Sequence, residues 1–257
     1  MPSKGFLRLN ANITFPDNMI PADVKLQIPQ SSLPKEQKHF LAYIPWDDKY
    51  LSFIPLKYKK YFLDCLPLLG VRTTNVHVAV CFQYLDQLVY SFETAHLVKI
   101  DKDTVALGLI LHDIGWSKLS DKEIAASLGI SGLKLNKAAV GPKERHAVEG
   151  EKIARQKLAG WEIPQNKINL ICLCVRWHDE LHKVSQNGKM PPEAELLADL
   201  DHLWSYTHLN FWQDTVRKGI PPAEYAANLG TDLDSYFVTP EGKNLAGRLL
   251  SDRIAEL

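Results

Sequence analysis

A histidine and an aspartate stand side by side at the end of an apolar segment. His112 and Asp113 follow residues 105–111, which include no charged side chain, and Ile114 and Gly115 come directly after them. An ionised carboxylate buried without a partner is strongly unfavourable, so such a group is normally paired with a counter-ion or a metal ion. The pair therefore predicts a metal site, provided that other parts of the chain supply further ligands.

Four more residues of metal-binding type lie on the apolar sides of predicted helices. His77 lies near the start of a long helix, and His146 shares the inward stripe of its helix with a glycine and an isoleucine one and two turns on. His178 extends an apolar stripe by one step of three residues, and Asp201 lies three residues before a tryptophan. Helices packed around a common core can bring such side chains together. Two neighbours leave alternatives open, because Asp199 competes with Asp201 and His178 is followed by Asp179.

The elements that must position these residues are predicted to be helices. Seven prolines within residues 1–58 are spaced too closely for long helices, so this region is expected to be an extended arm with one or two short helices. Residues 59–257 carry helical periodicity and no convincing run of alternating strand residues. The predicted fold is all-α, a helical bundle with a proline-rich N-terminal arm and a C-terminal helix. The predicted helices cover residues 74–96, 103–112, 142–160, 165–182, 192–211 and 240–257, with a short helix at 121–128.

Composition excludes several classes of function. The 30 basic and 30 acidic residues balance, so the sequence predicts no binding of duplex nucleic acid or of an anionic membrane. The four cysteines lack CxxC spacing and lie in apolar segments, as buried thiols of a reducing compartment do. Without a signal-peptide pattern or an apolar span, a cytoplasmic protein is expected. An exposed arm at residues 1–58 could also exchange between subunits, which would make the protein a homo-oligomer.

The order of the six residues resembles the HD superfamily, whose signature is H…HD…D with two further histidines in its dinuclear branch. The likeness covers roughly residues 70–205 and is most specific at Leu111-His112-Asp113-Ile114-Gly115, with further matches at His146-Ala147-x-x-Gly150 and Asp201-x-Leu203. The last match favours Asp201 over Asp199. The resemblance implies a first metal bound by His77, His112, Asp113 and Asp201. It also implies a second metal, which Asp113 would bridge and which His146 and His178 would hold.

The resemblance implies a metal-dependent phosphohydrolase acting on a small phosphorylated molecule. Nitrogen and oxygen ligands without thiolates suit one or two divalent ions of Mn, Fe, Co, Ni or Zn. His112 and Asp113 would carry the chemistry, with Lys118 and Arg145 as cations for phosphate. Alternatives are an HD-fold di-iron oxygenase that cleaves C–C or C–P bonds, a hydratase-like enzyme, and a non-catalytic binding module. Trp116 stands where the cyclic-dinucleotide branch has lysine, which disfavours that substrate.

Overall fold

The computed structural model describes residues 20–28, 30–31, 41–127, 141–181 and 190–257. In these parts of the chain every regular element is helical, apart from one antiparallel β-bridge between Gln27 and Tyr43. The predicted all-α class is therefore confirmed. The α-helices are α1 (Leu56–Leu69), α2 (Thr74–His96), α3 (Lys102–Leu111), α4 (Asp121–Ser127), α5 (Pro142–Gly160), α6 (Gln165–Trp177), α7 (Pro192–Leu203), α8 (His208–Lys218), α9 (Pro222–Tyr236) and α10 (Pro240–Ala255). Short 3₁₀ helices cover Asp48–Phe53, Ile114–Lys118 and Trp204–Tyr206.

Several helix ends lie where the sequence predicts them. Helix α2 begins at Thr74 and ends at His96, and α5 begins at Pro142, whose fixed φ suits the first turn of a helix. Helix α10 follows Thr239, whose hydroxyl accepts a hydrogen bond from the backbone N–H of Gly242. At these positions the first residues of each helix were enough to predict where the helix begins.

The predicted helix over residues 192–211 is wrong as a single element. Helix α7 ends at Leu203, and a 3₁₀ turn leads to Thr207, whose backbone is extended. The Thr207 side chain accepts a hydrogen bond from the backbone of Asn210 and so begins the separate helix α8. Helix α9 was not predicted at all, although Pro222 at its first position is a typical starting residue. The helix at Gln165 also ends earlier than predicted, at Trp177.

Helix α3 lies at the centre of the bundle. Its residues from Thr104 to Leu111 are all buried, and α1, α2, α6 and α7 pack around it. Gly108 allows α7 to approach closely, because a Cβ at this position would lie 3.0 Å from the Leu197 side chain. The buried surroundings explain why the segment is apolar throughout, and they place its C-terminal end in the interior of the protein.

The described parts of the N-terminal region pack on the helical core. Val24, Ile44 and Tyr50 belong to the same buried cluster as the central helices. The backbone carbonyl of Ala42 accepts hydrogen bonds from Gln213 Nε2 at 2.8 Å and from Arg217 Nε at 2.7 Å. Among the described residues, no helix combines the length and the apolar character that crossing a membrane requires.

Candidate metal centre

The His-Asp pair lies at the buried end of α3. His112 is the C-terminal cap of the helix and is fully buried, whereas the side chain of Asp113 is 12% exposed. Asp113 follows the C-terminal cap of α3 and is itself the N-terminal cap of the 3₁₀ helix Ile114–Lys118. The change of direction turns its carboxylate toward the residues of other helices instead of along α3.

The structure brings together all six residues that the resemblance implied as metal ligands. They fall into two groups that share Asp113, and within each group one potential ligand atom from every member lies within 4.8 Å of the others. The first group combines α2, the end of α3 and α7, and the second combines the end of α3, α5 and the end of α6. The first group is His77, His112, Asp113 and Asp201, and the second is Asp113, His146 and His178.

In the first group, two imidazoles converge on one carboxylate oxygen. Nε2 of His77 and Nε2 of His112 each lie 3.3 Å from Oδ1 of Asp201. Oδ2 of Asp113 lies 3.4 Å from Nδ1 of His77 and 3.6 Å from Nε2 of His112. These are the atoms that a divalent ion with nitrogen and oxygen ligands requires.

The second group is built around the other oxygen of Asp113. Oδ1 of Asp113 lies 3.4 Å from Nε2 of His146 and 3.6 Å from Nε2 of His178. The two Nε2 atoms lie only 3.2 Å apart. Asp113 therefore presents one oxygen to each group, as a bridging carboxylate would.

Backbone carbonyls fix the orientation of two of the rings. Nδ1 of His112 lies 2.8 Å from the carbonyl oxygen of Leu109, and Nδ1 of His178 lies 2.8 Å from that of Val175. A carbonyl oxygen only accepts, so in both rings Nδ1–H donates the hydrogen bond. In the neutral form of each ring, which is the form that binds a metal ion, Nε2 carries the lone pair and faces the cluster, as in the usual arrangement of metal-binding histidines.

Aromatic rings support the remaining two histidines. Trp204 stacks on His77 with ring centroids 5.0 Å apart. Trp116 stacks on His146 at 4.0 Å, and its indole N–H donates a 2.8 Å hydrogen bond to Oδ1 of Asp113. Trp116 thus holds one residue of each predicted ligand type in place.

Two glycines let α5 approach the His-Asp pair closely. A Cβ at Gly115 would lie 1.9 Å from the carbonyl oxygen of His146 and 2.5 Å from the backbone nitrogen of Gly150. A Cβ at Gly150 would lie 3.3 Å from the carbonyl oxygen of His112. Backbone contacts this close exclude larger residues at Gly115, and they bring His146 within reach of Asp113.

Without a metal ion, the close packing of carboxyl and imidazole groups lowers the pKa of Asp113 and Asp201 and raises the pKa of His178. Burial opposes ionisation of Asp113, but His112 and the other surrounding imidazoles hold the pKa of this carboxyl well below its usual range. Asp201 has a lowered pKa for the same reasons. Burial also opposes protonation of His178, but the neighbouring carboxylates, Asp113 first, raise its pKa to about 9. The pKa of His146 is lowered, chiefly by burial.

Unpaired buried nitrogen atoms indicate that the residues fit a metal ion. Nε2 of His77 and Nε2 of His112 are buried and have no hydrogen-bond partner among the described residues. A buried polar atom without a partner is unfavourable, and both atoms face the shared oxygen of Asp201. A divalent cation would satisfy both nitrogens and neutralise the carboxylates, so the donor set suits such an ion.

The structure distinguishes the two aspartates of α7. Asp199 is fully buried, and its carboxylate accepts hydrogen bonds from the backbone N–H groups of Val238 and Thr239 and from the Thr239 hydroxyl. Burial raises its pKa to about 7, against the effect of these donors. Asp199 therefore anchors the start of α10, and Asp201, two residues later, is the aspartate that lies in the cluster.

The two cations predicted to assist catalysis, Lys118 and Arg145, lie elsewhere. Lys118 is exposed and lines a separate open cavity of about 750 Å³, together with Lys157 and Trp161. Arg145 forms an ion pair with Glu123 of α4. Neither lines the cavity over the cluster. For Lys118 the cause is the 3₁₀ helix Ile114–Lys118, because it directs Trp116 to the cluster and Lys118 to another face of the protein.

Lys143, a cation that the sequence did not single out, lines the cavity over the cluster. This cavity has a volume of about 440 Å³, and Arg72, Lys143 and Asp179 line it with His77, Asp113 and Asp201. Nζ of Lys143 lies 3.2 Å from Oδ1 of Asp179, whose other oxygen lies 3.6 Å from Nε2 of His146. The direct succession of His178 and Asp179 was the available signal for this aspartate, whereas Lys143 had none beyond its closeness to His146.

Comparison with known families agrees with this geometry. The family model described as HD domain matches residues 81–204, a range that contains His112, Asp113, His146, His178 and Asp201 and begins four residues after His77. No curated protein and no solved structure matches the chain. Residues 81–204 therefore form an HD domain, a domain type of the metal-dependent hydrolase superfamily, and the His-Asp cluster is compatible with the metal-binding pattern of such domains.

Proposed function

We propose that the protein is a metal-dependent phosphohydrolase that acts on a small phosphorylated molecule. The proposal rests on the cavity over the cluster, which is lined both by the predicted ligands Asp113 and Asp201 and by the cations Arg72 and Lys143. Cations beside a metal-binding cluster suit a substrate that carries a phosphate group. The cavity volume of about 440 Å³ is typical of small-molecule sites.

We propose that two divalent ions occupy the cluster. His77, His112, Asp113 and Asp201 would hold one ion, and Asp113, His146 and His178 the other. Ions bound there supply Lewis acidity, which activates water as a nucleophile and polarises a phosphoryl oxygen.

Lys143 is the residue best placed to bind the phosphate. Its side chain is 54% exposed and lines the cavity, while Asp179 holds the ammonium group beside the cluster. The pKa of Lys143 is raised, first by the charge of Asp179, so the side chain stays protonated at neutral pH. A protonated lysine neutralises charge on the phosphoryl oxygens in the ground state and in the transition state.

Arg72 is a second cation that would hold the substrate. Its guanidinium group lies over Trp116, with Cζ 4.1 Å from the ring centroid, and it lines the same cavity. Trp116 is 1% exposed and fills the space between Arg72 and His146, so it limits the access of water to this side of the cluster.

The proposal is tested by phosphate release from a panel of phosphate monoesters in the presence of Mn²⁺. We expect release that is lost in folded His112→Ala and Asp113→Ala variants. In Lys143→Met we expect kcat/KM to fall by about 10–100-fold, because a cation that contacts the phosphate is lost. Lys118→Met is the matched control, because Lys118 lies in the other cavity, and its kcat/KM should stay unchanged.

Two results would contradict the proposal. One is the absence of phosphate release from every ester with Mn, Fe, Co, Ni or Zn. The other is uptake of dioxygen by the iron-loaded protein with an organic substrate and without phosphate release, which would favour the oxygenase alternative.

A further inference from the structure

The cavity over the cluster extends beyond the predicted ligands to α8. Asn210, Asp214 and Lys218 of this helix line it together with Asp113 and Lys143. The predicted phosphate-binding end and the α8 end are therefore parts of one space of about 440 Å³. A substrate whose phosphate lies at the cluster would place the rest of the molecule toward α8.

Asn210 presents a buried amide oxygen without a partner. The residue is 2% exposed, and its Oδ1 has no hydrogen-bond partner among the described residues. Its backbone N–H lies 3.4 Å from the Thr207 hydroxyl, which caps α8, so the cap does not use the side-chain amide. Buried polar atoms are normally paired, and an unpaired one in the wall of a cavity points to a ligand.

Asp214 adds a second acceptor one helical turn later. Residues four apart lie on the same face of a helix, so Asn210 and Asp214 point to the same region. Oδ2 of Asp214 accepts from the Tyr225 hydroxyl and pairs with Lys218 Nζ, both at 2.9 Å. Oδ1 lies 3.6 Å from Arg217 Nη1, which is longer than a hydrogen bond, so it retains capacity to accept.

The local charge decides which donor suits these acceptors. Arg217 and Lys218 already neutralise the Asp214 carboxylate and leave a positive balance. An ammonium group would add to the net positive charge of these three side chains, whereas a neutral hydroxyl donates to such oxygens without adding charge. We infer that Asn210 and Asp214 form a specificity subsite for the hydroxyl groups of a phosphorylated sugar or polyol, an inference that rests on the proposed function.

The test compares phosphate esters that differ only in their hydroxyl groups. Ribitol 5-phosphate is paired with pentyl phosphate, and glycerol phosphate with propyl phosphate. For each pair we measure kcat/KM with Mn²⁺, and separately the Kd of the metal-free protein by calorimetry. Asn210→Leu removes the amide at similar volume. Asn169→Ala is the control, because Asn169 is an exposed asparagine whose side-chain oxygen accepts from Arg155 and Gln165 on the surface.

We expect the wild type and Asn169→Ala to prefer the hydroxylated member of each pair by at least about tenfold, in kcat/KM and in Kd. Asn210→Leu should lower this preference by about tenfold while keeping the wild-type circular dichroism and unfolding temperature. A preference in Kd without any hydrolysis would support the subsite and contradict the phosphohydrolase. Hydrolysis without a preference for hydroxyls, or a preference that Asn210→Leu leaves intact, would overturn the subsite and leave the phosphohydrolase standing.

Discussion

The indole nitrogen of Trp116 donates a 2.8 Å hydrogen bond to Oδ1 of Asp113, the same oxygen that faces His146 and His178. The same indole ring stacks on His146, with the two planes 9° apart. One buried side chain thus orients two of the predicted ligands of the second metal. Groups that orient metal ligands contribute strongly to metal affinity.

Replacing Trp116 with phenylalanine tests this support. The phenyl ring keeps part of the stack on His146 but cannot donate to Asp113. We expect Mn²⁺ affinity, measured by calorimetric titration, to fall by about 10–100-fold. Trp161→Phe is the matched control, because it removes an indole hydrogen bond to Asp64 far from the cluster. Equal affinities of the Trp116→Phe variant and the wild type would show that the hydrogen bond is not needed.

Gly115→Ala tests the close packing of the 3₁₀ helix on α5. The new methyl group would lie 1.9 Å from the carbonyl oxygen of His146, so the two backbones must separate. We expect a loss of about 3 kcal/mol in the free energy of unfolding by urea, together with weaker metal binding. At Gly160, which ends the same α5, a Cβ would meet nothing within 4 Å. Gly160→Ala should therefore change stability by less than about 1 kcal/mol. Similar effects of the two substitutions would argue against the packing described.

The aspartates of α7 should separate metal binding from stability. Asp201→Asn removes the negative charge of the carboxylate that faces two imidazoles, so we expect Mn²⁺ affinity to fall by more than about 100-fold. Asp199→Asn disrupts hydrogen bonds at the start of α10 and should lower the free energy of unfolding by about 3 kcal/mol. Its metal affinity should remain close to the wild-type value. Calorimetry and urea unfolding of both variants give the comparison, and the reverse pattern would assign the ligand role to Asp199.

The cysteines should be unreactive in the folded protein. All four are buried free thiols, and burial raises the pKa of Cys65 and of Cys174 to about 12. A raised thiol pKa means that the reactive thiolate is scarce below that pH, so at pH 8 native protein should react slowly with an aromatic disulfide reagent. In urea all four thiols should react. Rapid reaction of any thiol in the folded state would contradict the burial described.

The sequence predicted the residues of the cluster and the helix bounds correctly where a short stretch of residues determines them. His112 and Asp113 were found because polar residues ended an apolar segment, and the bounds of α5 followed from Pro142 and Gly160. All-α structure followed from helical periodicity in the same way. The break at Thr207 was missed, because the apolar periodicity continues through the cap.

The cations of the site could not be chosen from sequence distance. Lys118 is five residues from Asp113, yet the 3₁₀ helix directs it into another cavity. Lys143 is thirty residues away along the chain, and the packing of α5 on the 3₁₀ helix brings it to the cluster. Asn210 could not be identified as a site residue from the sequence, because its side-chain oxygen is left without a partner only by the contacts of the folded protein.

Equilibrium dialysis against Mn²⁺, followed by elemental analysis, measures how many metal ions the cluster binds. We predict two ions per wild-type chain. We predict none at the same free Mn²⁺ concentration for folded Asp113→Ala, because this variant lacks the carboxylate that both groups share. A wild-type chain that binds no ion, or an Asp113→Ala variant that binds as many ions as the wild type, would show that these residues are not the metal ligands.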